Sequence, residues 1–277
     1  MTYRETVEAL ARAGIPDAEF EASVLFRDLG GIPREKLLCD PGTECPGPAF
    51  LEALARRLKR EPLQYILGKW YFRGLEFRLD GSTLCPRPDT ETLVEEAVKT
   101  IPEGALFCDV GTGSGCIAVS VLHERPDLKC VAADISPEAL RIAVENAERN
   151  GVADRFSPVF CDARDPLALS SLGVFGAVLS NPPYIPSGDI AALEPELSYE
   201  PRAALDGGED GYFFYRTIIP GARLAPGGVM IFETGDGMAP GLCDIGRSFG
   251  FASEARRDLS GIERVVIMRK TETERAD

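Results

Sequence analysis

The chain of 277 residues carries one histidine, His123. That excludes a zinc site built on two histidines and leaves a Ser-His-Asp arrangement only one base. His123 is followed by Glu124-Arg125-Pro126, a helix-ending pattern, so it reads as a surface residue at a helix end. Chemistry in this chain must therefore run with little acid–base machinery. The eight cysteines contain no C-x-x-C pair and mostly sit in apolar segments, which points to reduced core thiols and to no metal. No apolar run approaches the length that spans a bilayer. The start, Met1-Thr2-Tyr3-Arg4-Glu5, opens a charged amphipathic pattern and not a signal peptide, so a cytoplasmic location is expected. Basic residues are also scarce: 30 Lys and Arg face 44 Asp and Glu, a net charge of -14. Such a surface gives no general grip on nucleic acid or on an anionic membrane, whereas it suits a basic protein partner.

What is present divides in two. Residues 1–68 read as helical. Val7, Leu10 and Ala11 share one helix face; Phe20, Val24 and Leu25 share another before Gly30-Gly31; Leu51, Leu54, Ala55 and Leu58 share a third. Arg56, Arg57, Lys59 and Arg60 cover the rest of that last helix, as a solvated face or a docking surface. Trp70-Tyr71-Phe72 and Leu75 to Leu79 flank Arg73-Gly74 as a β-hairpin, giving a linker over residues 69–84. From residue 85 to 277 strands and helices alternate, which predicts an α/β domain with a mostly parallel sheet covered on both faces. The strand at Arg155 to Phe160 contains Pro158 and is expected to be short or at an edge. The last two strands are expected to be antiparallel. Ile185 to Gly211 lacks a clear pattern and reads as a lid or substrate-binding loop.

The segment that organises the rest is Asn181-Pro182-Pro183-Tyr184, which follows the apolar strand Val174 to Leu179. Two prolines stop the ladder and make a rigid turn. The Asn181 oxygen and the Pro182 carbonyl can accept both hydrogens of one planar NH2 group while Tyr184 covers its face. A glutamine, asparagine, adenine or cytosine amino group fits that description. Asp109-Val110-Gly111-Thr112-Gly113-Ser114-Gly115 lies at a strand-to-helix turn, where backbone N–H groups are expected to face outward and glycines allow close approach. Asp134 ends the next strand and can accept two ribose hydroxyls. Asp162 ends the third, where it or the adjacent backbone at Ala163 can meet an adenine amino group. Asp109 can meet a ligand ammonium. These strand tips outline an adenosine pocket, acidic and without Lys or Arg, which disfavours phosphate and suits S-adenosylmethionine.

The chain resembles the HemK/PrmC family, glutamine-specific methyltransferases of peptide-chain release factors. The resemblance runs through Pro62-Leu63-Gln64-Tyr65-Ile66-Leu67-Gly68, Pro86-Arg87-Pro88-Asp89-Thr90-Glu91, the Gly111 to Gly115 loop, Ala133-Asp134-Ile135-Ser136, Asn181-Pro182-Pro183-Tyr184-Ile185, Glu200-Pro201 and Ala204-Leu205-Asp206-Gly207-Gly208. It implies a seven-stranded, Rossmann-like class I methyltransferase domain behind a small helical substrate-recognition domain. It also implies a substrate glutamine in a Gly-Gly-Gln motif. Two positions depart from the family pattern: Ala163 stands where some members have an aromatic residue, and Gly261-Ile262-Glu263-Arg264 replaces a more usual Gly-Arg-Asp-Arg.

The expected chemistry follows from the amide, a poor nucleophile because its lone pair is delocalised. Asn181 and Pro182 would orient it and raise electron density on nitrogen, Pro183 would keep the turn rigid, and Tyr184 would pack on the amide plane. N-methylation acidifies the departing proton, so no general base is required before attack. The expected partner is a release factor, met by a monomer, with no direct nucleic-acid or membrane contact. A ribosomal-protein glutamine methyltransferase, a nucleic-acid amino-methyltransferase and a non-catalytic cofactor-binding module are the alternatives.

Overall fold

The computed structural model describes residues 1–270; the last seven residues of the expected 85–277 domain lie outside the described residues. The chain divides into two compact units, one of Met1–Lys69 with Glu194–Tyr199, the other of Trp70–Leu193 with Glu200 onward.

The first unit is helical: α1 (Tyr3–Arg12), α2 (Ala18–Gly30), α3 (Arg34–Cys39), α4 (Pro48–Arg57) and α5 (Leu63–Leu67). Thr2 and Glu5 form a reciprocal capping box that starts α1. Gly31, at φ 62°, ends α2 in the left-handed conformation. The core is aromatic and aliphatic: Phe26 meets Phe50 at 4.6 Å between ring centres, with Leu10, Leu25 and Leu37 fully buried around them. Each such side chain contributes about 1.5–3 kcal/mol of burial. The basic cluster on α4 is not a free face. Arg57 is 3% exposed and bonds Glu21 at 2.5 Å and Glu196 at 3.0 Å. Arg60 makes two bonds to Glu196, both at 2.7 Å, and Arg56 pairs with Glu61. The Tyr199 hydroxyl donates to the Lys59 carbonyl at 2.9 Å. Residues 194–199 thus belong to this unit because their acid neutralises arginines that burial would otherwise penalise.

The second unit begins with a two-stranded hairpin, β1 (Lys69–Phe72) and β2 (Leu75–Arg78). Its turn residues Arg73 and Gly74 have φ 48° and 76°, the pair of positive values a two-residue hairpin turn needs. Then follow α6 (Glu91–Thr100), β3 (Leu106–Val110), α7 (Cys116–Glu124), β4 (Lys129–Asp134), α8 (Pro137–Arg149), β5 (Phe156–Phe160), α9 (Pro166–Ser171), β6 (Val174–Ser180), α10 (Phe213–Gly221), β7 (Arg223–Glu233), α11 (Ala239–Ser248), β8 (Phe251–Arg257) and β9 (Glu263–Lys270). The seven strands lie in the order β5-β4-β3-β6-β7-β9-β8. β5 through β7 are parallel, while β9 runs antiparallel to both β7 and β8. Pro158 is tolerated because β5 is an edge strand. The central strands β3 and β6 are buried on both faces, through Phe107, Cys108, Ala177, Val178 and Leu179. His123 is exposed at the end of α7, and the eight cysteines are unpaired, four of them fully buried.

The loop from Ile185 to Gly211 is better ordered than its sequence pattern indicates. It contains short 3-10 turns at Ile190–Ala192, Pro195–Tyr199 and Arg202–Ala204. A bridge pairs Ile185 with Asp206, so Leu205 to Gly208 lie against the chain leaving the Pro-Pro turn.

Candidate functional site

β3 and β6 are neighbours, yet the chain goes from β3 to β4 on one side and reaches β6 only after β5. The connections on either side of this gap diverge, which leaves a crevice at the carboxyl ends of β3 and β6. The Gly111 loop leaves one strand there and Asn181 leaves the other. The two tips are tied together: the Ser180 hydroxyl donates to the Val110 carbonyl at 2.6 Å.

The crevice opens into a cavity of about 610 Å³ within the sheet unit. Of the residues singled out from sequence, Gly111, Thr112, Gly113, Ser114, Asp134, Asp162, Ala163, Asn181, Pro182 and Pro183 line it. Asp109, Gly115 and Tyr184 are not part of that lining. Asp109 is fully buried beneath the loop; its Oδ2 accepts from the Thr112 hydroxyl at 2.7 Å. Burial pushes its carboxyl up to about 7, with the charge of Asp134 adding to the rise and the Thr112 bond opposing it. Gly115 has φ 79°, and a Cβ there would stand 3.1 Å from Ala143 Cβ, so it packs the loop onto α8. The Tyr184 ring lies against Gly235, where an added Cβ would come within 3.2 Å of it.

The loop amides are not bare. Gly111 and Thr112 both donate to the Ala133 carbonyl, and Gly113 donates to Asp134 Oδ2 at 2.8 Å. The loop is therefore fastened to the tip of β4, and its open side is the space where Gly111 lacks a Cβ. Asp134 also accepts from the Ser136 amide at 2.9 Å, which leaves each oxygen a lone pair for a ligand hydroxyl. Burial raises its carboxyl above the usual range, and the Ser136 and Gly113 amides pull it back.

Arginines do line the cavity, contrary to the reading of a pocket without basic residues: Arg87, Arg164 and Arg202. Each is held by a carboxylate. Arg87 bonds Glu200 at 2.6 Å, Arg202 bonds Asp206 at 3.1 Å, and Arg164 bonds Asp162 at 2.7 Å. Asp162 is thus engaged by Arg164, which holds its carboxyl below the usual range. Ile135, Phe213, Phe214 and Ile218 complete apolar walls that the sequence reading did not single out. Ile135 had a signal, since an exposed aliphatic residue follows the strand-end acid. Phe213 and Phe214 had none, because their approach depends on the fold of the preceding loop.

At the far end, Asn181 Nδ2 donates to the buried Thr90 hydroxyl at 3.4 Å. The turn after it is braced from below: the Gly207 amide donates to the Ile185 carbonyl at 2.8 Å. A Cβ on Gly207 would fall 2.7 Å from Tyr184 Cα, so only glycine lets this strand of the loop support the turn.

Residues 2–68 match the family model of the PrmC N-terminal domain, and residues 88–200 match that of the methyltransferase small domain. A release factor glutamine methyltransferase of Geobacter sulfurreducens is 42% identical over 265 residues, covering 93% of this chain and 91% of that protein. The chain belongs to the release factor glutamine methyltransferase family. A member from Bradyrhizobium diazoefficiens is 39% identical, over 96% of this chain and 93% of its own length. The sheet unit is the class I methyltransferase fold of that family. A methyltransferase structure from Pyrococcus furiosus, 18% identical, has the same fold at a TM-score of 0.52, over 71% of this chain and 89% of its own.

Proposed function

We propose that this protein transfers a methyl group from S-adenosylmethionine to the side-chain amide nitrogen of the glutamine in the Gly-Gly-Gln motif of a peptide-chain release factor. The observation that carries this reading is an Asn-Pro-Pro-Tyr turn at the end of a nucleoside-sized cavity, in a chain whose relatives bear that activity in their names over nearly their whole length.

The residues present suit the donor. Asp134 has lone pairs for two ribose hydroxyls, Ile135 and Ala163 offer apolar faces to a flat base, and the Asp162 segment offers it polar edges. Ser114 also lines the cavity, with its hydroxyl beside the Cys116 thiol. The three lining arginines are neutralised, so no free cation repels a sulfonium or attracts a phosphate. S-adenosylmethionine, when bound, supplies an electrophilic methyl group on a cationic sulfur.

The chain's own part is positioning. The Asn181 oxygen and the Pro182 carbonyl accept the two hydrogens of the substrate amide, which fixes its plane and raises density on nitrogen. Pro183 restricts Pro182 to an extended conformation, so the two acceptors are preset. Tyr184 is assigned to the substrate side of the turn, against the amide plane. Thr112 and Asp109 act from beneath by holding the Gly111 to Gly115 loop. Residues 1–68 are assigned to recognition of the release factor, residues 69–84 to the linker and residues 85–277 to catalysis. The protein acts as a monomer in the cytoplasm, without direct contact to nucleic acid or membrane; no described helix is long and apolar enough to cross one.

The test is methylation of a purified release factor with labelled donor, followed by peptide mass spectrometry. One methyl group on the glutamine of Gly-Gly-Gln is expected. Label on a ribosomal protein, on DNA or on RNA, with none on the release factor, overturns the reading.

A further inference from the structure

One buried acid at the site has no part in the mechanism above. Glu233 ends β7, and Ser180 pairs with Phe232 in the parallel register, so Asn181 and Glu233 leave neighbouring strands side by side. Glu233 is 2% exposed, its Oε2 makes no hydrogen bond, and it lies behind the residues that line the cavity. Thr90, also 2% exposed, is among the residues that line the cavity. The Thr90 oxygen accepts from Asn181 Nδ2, and the Thr90 hydroxyl and Asn181 amide both face the Glu233 carboxyl. Thr90 is held in turn by its own segment, where Asp89 pairs with Arg264 at 3.3 Å.

We infer that Glu233 is a positioning residue for methyl transfer: as a carboxylate it takes the Thr90 hydroxyl hydrogen, so that Thr90 accepts from Asn181 and Asn181 presents its oxygen to the substrate amide. This rests on the methyl-transfer reading above. The argument is one of hydrogen-bond polarity. A carboxylate only accepts, whereas a hydroxyl donates one hydrogen and accepts others. With Glu233 ionised, the direction of donation runs from Asn181 NH2 to Thr90 to Glu233. With Glu233 protonated, the acid donates to Thr90, and Thr90 is free to donate to Asn181. The Asn181 amide then turns its NH2 toward the substrate NH2, and two donors face each other.

The carboxyl titrates in the working range. Burial pushes it up to about 7, Asp89 adds to the rise, and Thr90, Arg264 and Asn181 oppose it. The other groups that face it are Tyr184 from the turn after β6, Tyr215 from α10 and Cys116 from α7. All three are pushed upward by burial, Tyr184 and Cys116 to about 12, so they stay neutral and do not titrate there. Ionised Glu233 is the productive form, so the rate of the chemical step is low below this pKa, rises through it and levels above it.

The test is single-turnover methylation of a release factor at saturating donor, across pH 5.5 to about 9, with Glu233→Gln, Thr90→Ser and Thr90→Val beside the wild type. The wild-type rate is expected to climb with a midpoint near neutrality, and Glu233→Gln to lose that limb. Glu233→Gln is also expected to be slower on the plateau by roughly tenfold, the kinetic equivalent of about 1.4 kcal/mol. Thr90→Ser keeps the hydroxyl and the limb; Thr90→Val loses both the limb and a similar factor in rate. Donor affinity by calorimetry stays within about twofold in Glu233→Gln, as expected for a group behind the cavity lining. A wild-type limb that survives unchanged in Glu233→Gln, or in Thr90→Val where the Gln variant does not fold, overturns this inference alone. A wild-type chain that methylates no release factor overturns the proposed function and this inference with it.

Discussion

The Gly113 amide donates to the Asp134 carboxylate at 2.8 Å, so the glycine loop after β3 and the acid at the tip of β4 form one rigid corner of the cavity. Asp134→Ala removes the two acceptors proposed for a ribose and also the Gly113 anchor of the loop. Affinity for S-adenosylmethionine is expected to fall by about 1.5–3 kcal/mol, the scale of hydrogen bonds to a charged group. Calorimetry checks it; unchanged affinity would remove Asp134 from the ribose site.

Asn181→Ala deletes one of the two acceptors proposed for the reacting amide. Its effect belongs to the transition state, where charge develops on nitrogen, so single-turnover methylation is expected to fall roughly 10²–10³-fold. Donor affinity is expected to change by less than about 1 kcal/mol, because the proposed donor contacts lie on the other strand tips. Retention of more than about a third of the wild-type rate would contradict the magnitude of such a preorganised dipole. Asn181→Asp keeps an acceptor but loses the NH2 that Thr90 holds and adds charge to an acidic site. It is expected to be slow as well.

The two glycines at the ends of the loop answer to different constraints. Gly111 and Gly115 have φ 74° and 79°, but an added Cβ meets nothing at Gly111 and approaches Ala143 to 3.1 Å at Gly115. Both alanine variants are expected to lose about 1–2 kcal/mol of stability from left-handed strain. Gly115→Ala is expected to lose more, through displacement of α8, in urea unfolding. Gly111→Ala is expected to weaken donor binding, since its new methyl occupies cavity space. Equal effects of the two on stability and binding would show that the contact with α8 is unimportant.

Asp109 links stability to pH. Burial raises its folded-state carboxyl from 3.8 to about 7. The native state therefore holds a proton that the unfolded state has released, and stability falls as pH rises from about 4 through 7. Above that range the native protein carries a buried charge. Asp109→Asn keeps an acceptor for Thr112 without the charge. The variant is expected to gain on the wild type between pH 5 and pH 8, by at least ~1 kcal/mol, one pKa unit's worth. Urea midpoints at the two pH values measure it; a difference that does not change with pH would mean that Asp109 keeps an ordinary pKa.

How far the chain could be read from its residues differs from place to place. The alternation of buried strands and amphipathic helices after residue 85 carries the parallel sheet, because strands such as Ala177 to Leu179 are apolar on both faces only where helices cover both. Pro158 marks β5 as an edge, since proline cannot serve a two-sided ladder. Asn181-Pro182-Pro183 marks the end of a strand and a rigid pair of acceptors through backbone chemistry alone. These readings depend on neighbours in sequence, and periodicity and proline report on those directly.

What depended on distant partners was beyond that reach. Arg87 looks like a residue remote from an acidic pocket, and only the fold sets it against Glu200, 113 positions further on. The basic run on α4 looks like a solvated face until Glu196, 139 positions after Arg57, comes to neutralise it. The glycine loop seems to offer free amides, yet the tip of β4 takes three of them. Thr90 and Glu233 sit 143 positions apart, and neither belongs to a pattern that sequence periodicity can detect. The residues of the turn determined which acceptors this protein offers. The tertiary structure alone decided which way Asn181 points them, because that direction is set by hydrogen-bond partners that only folding brings together.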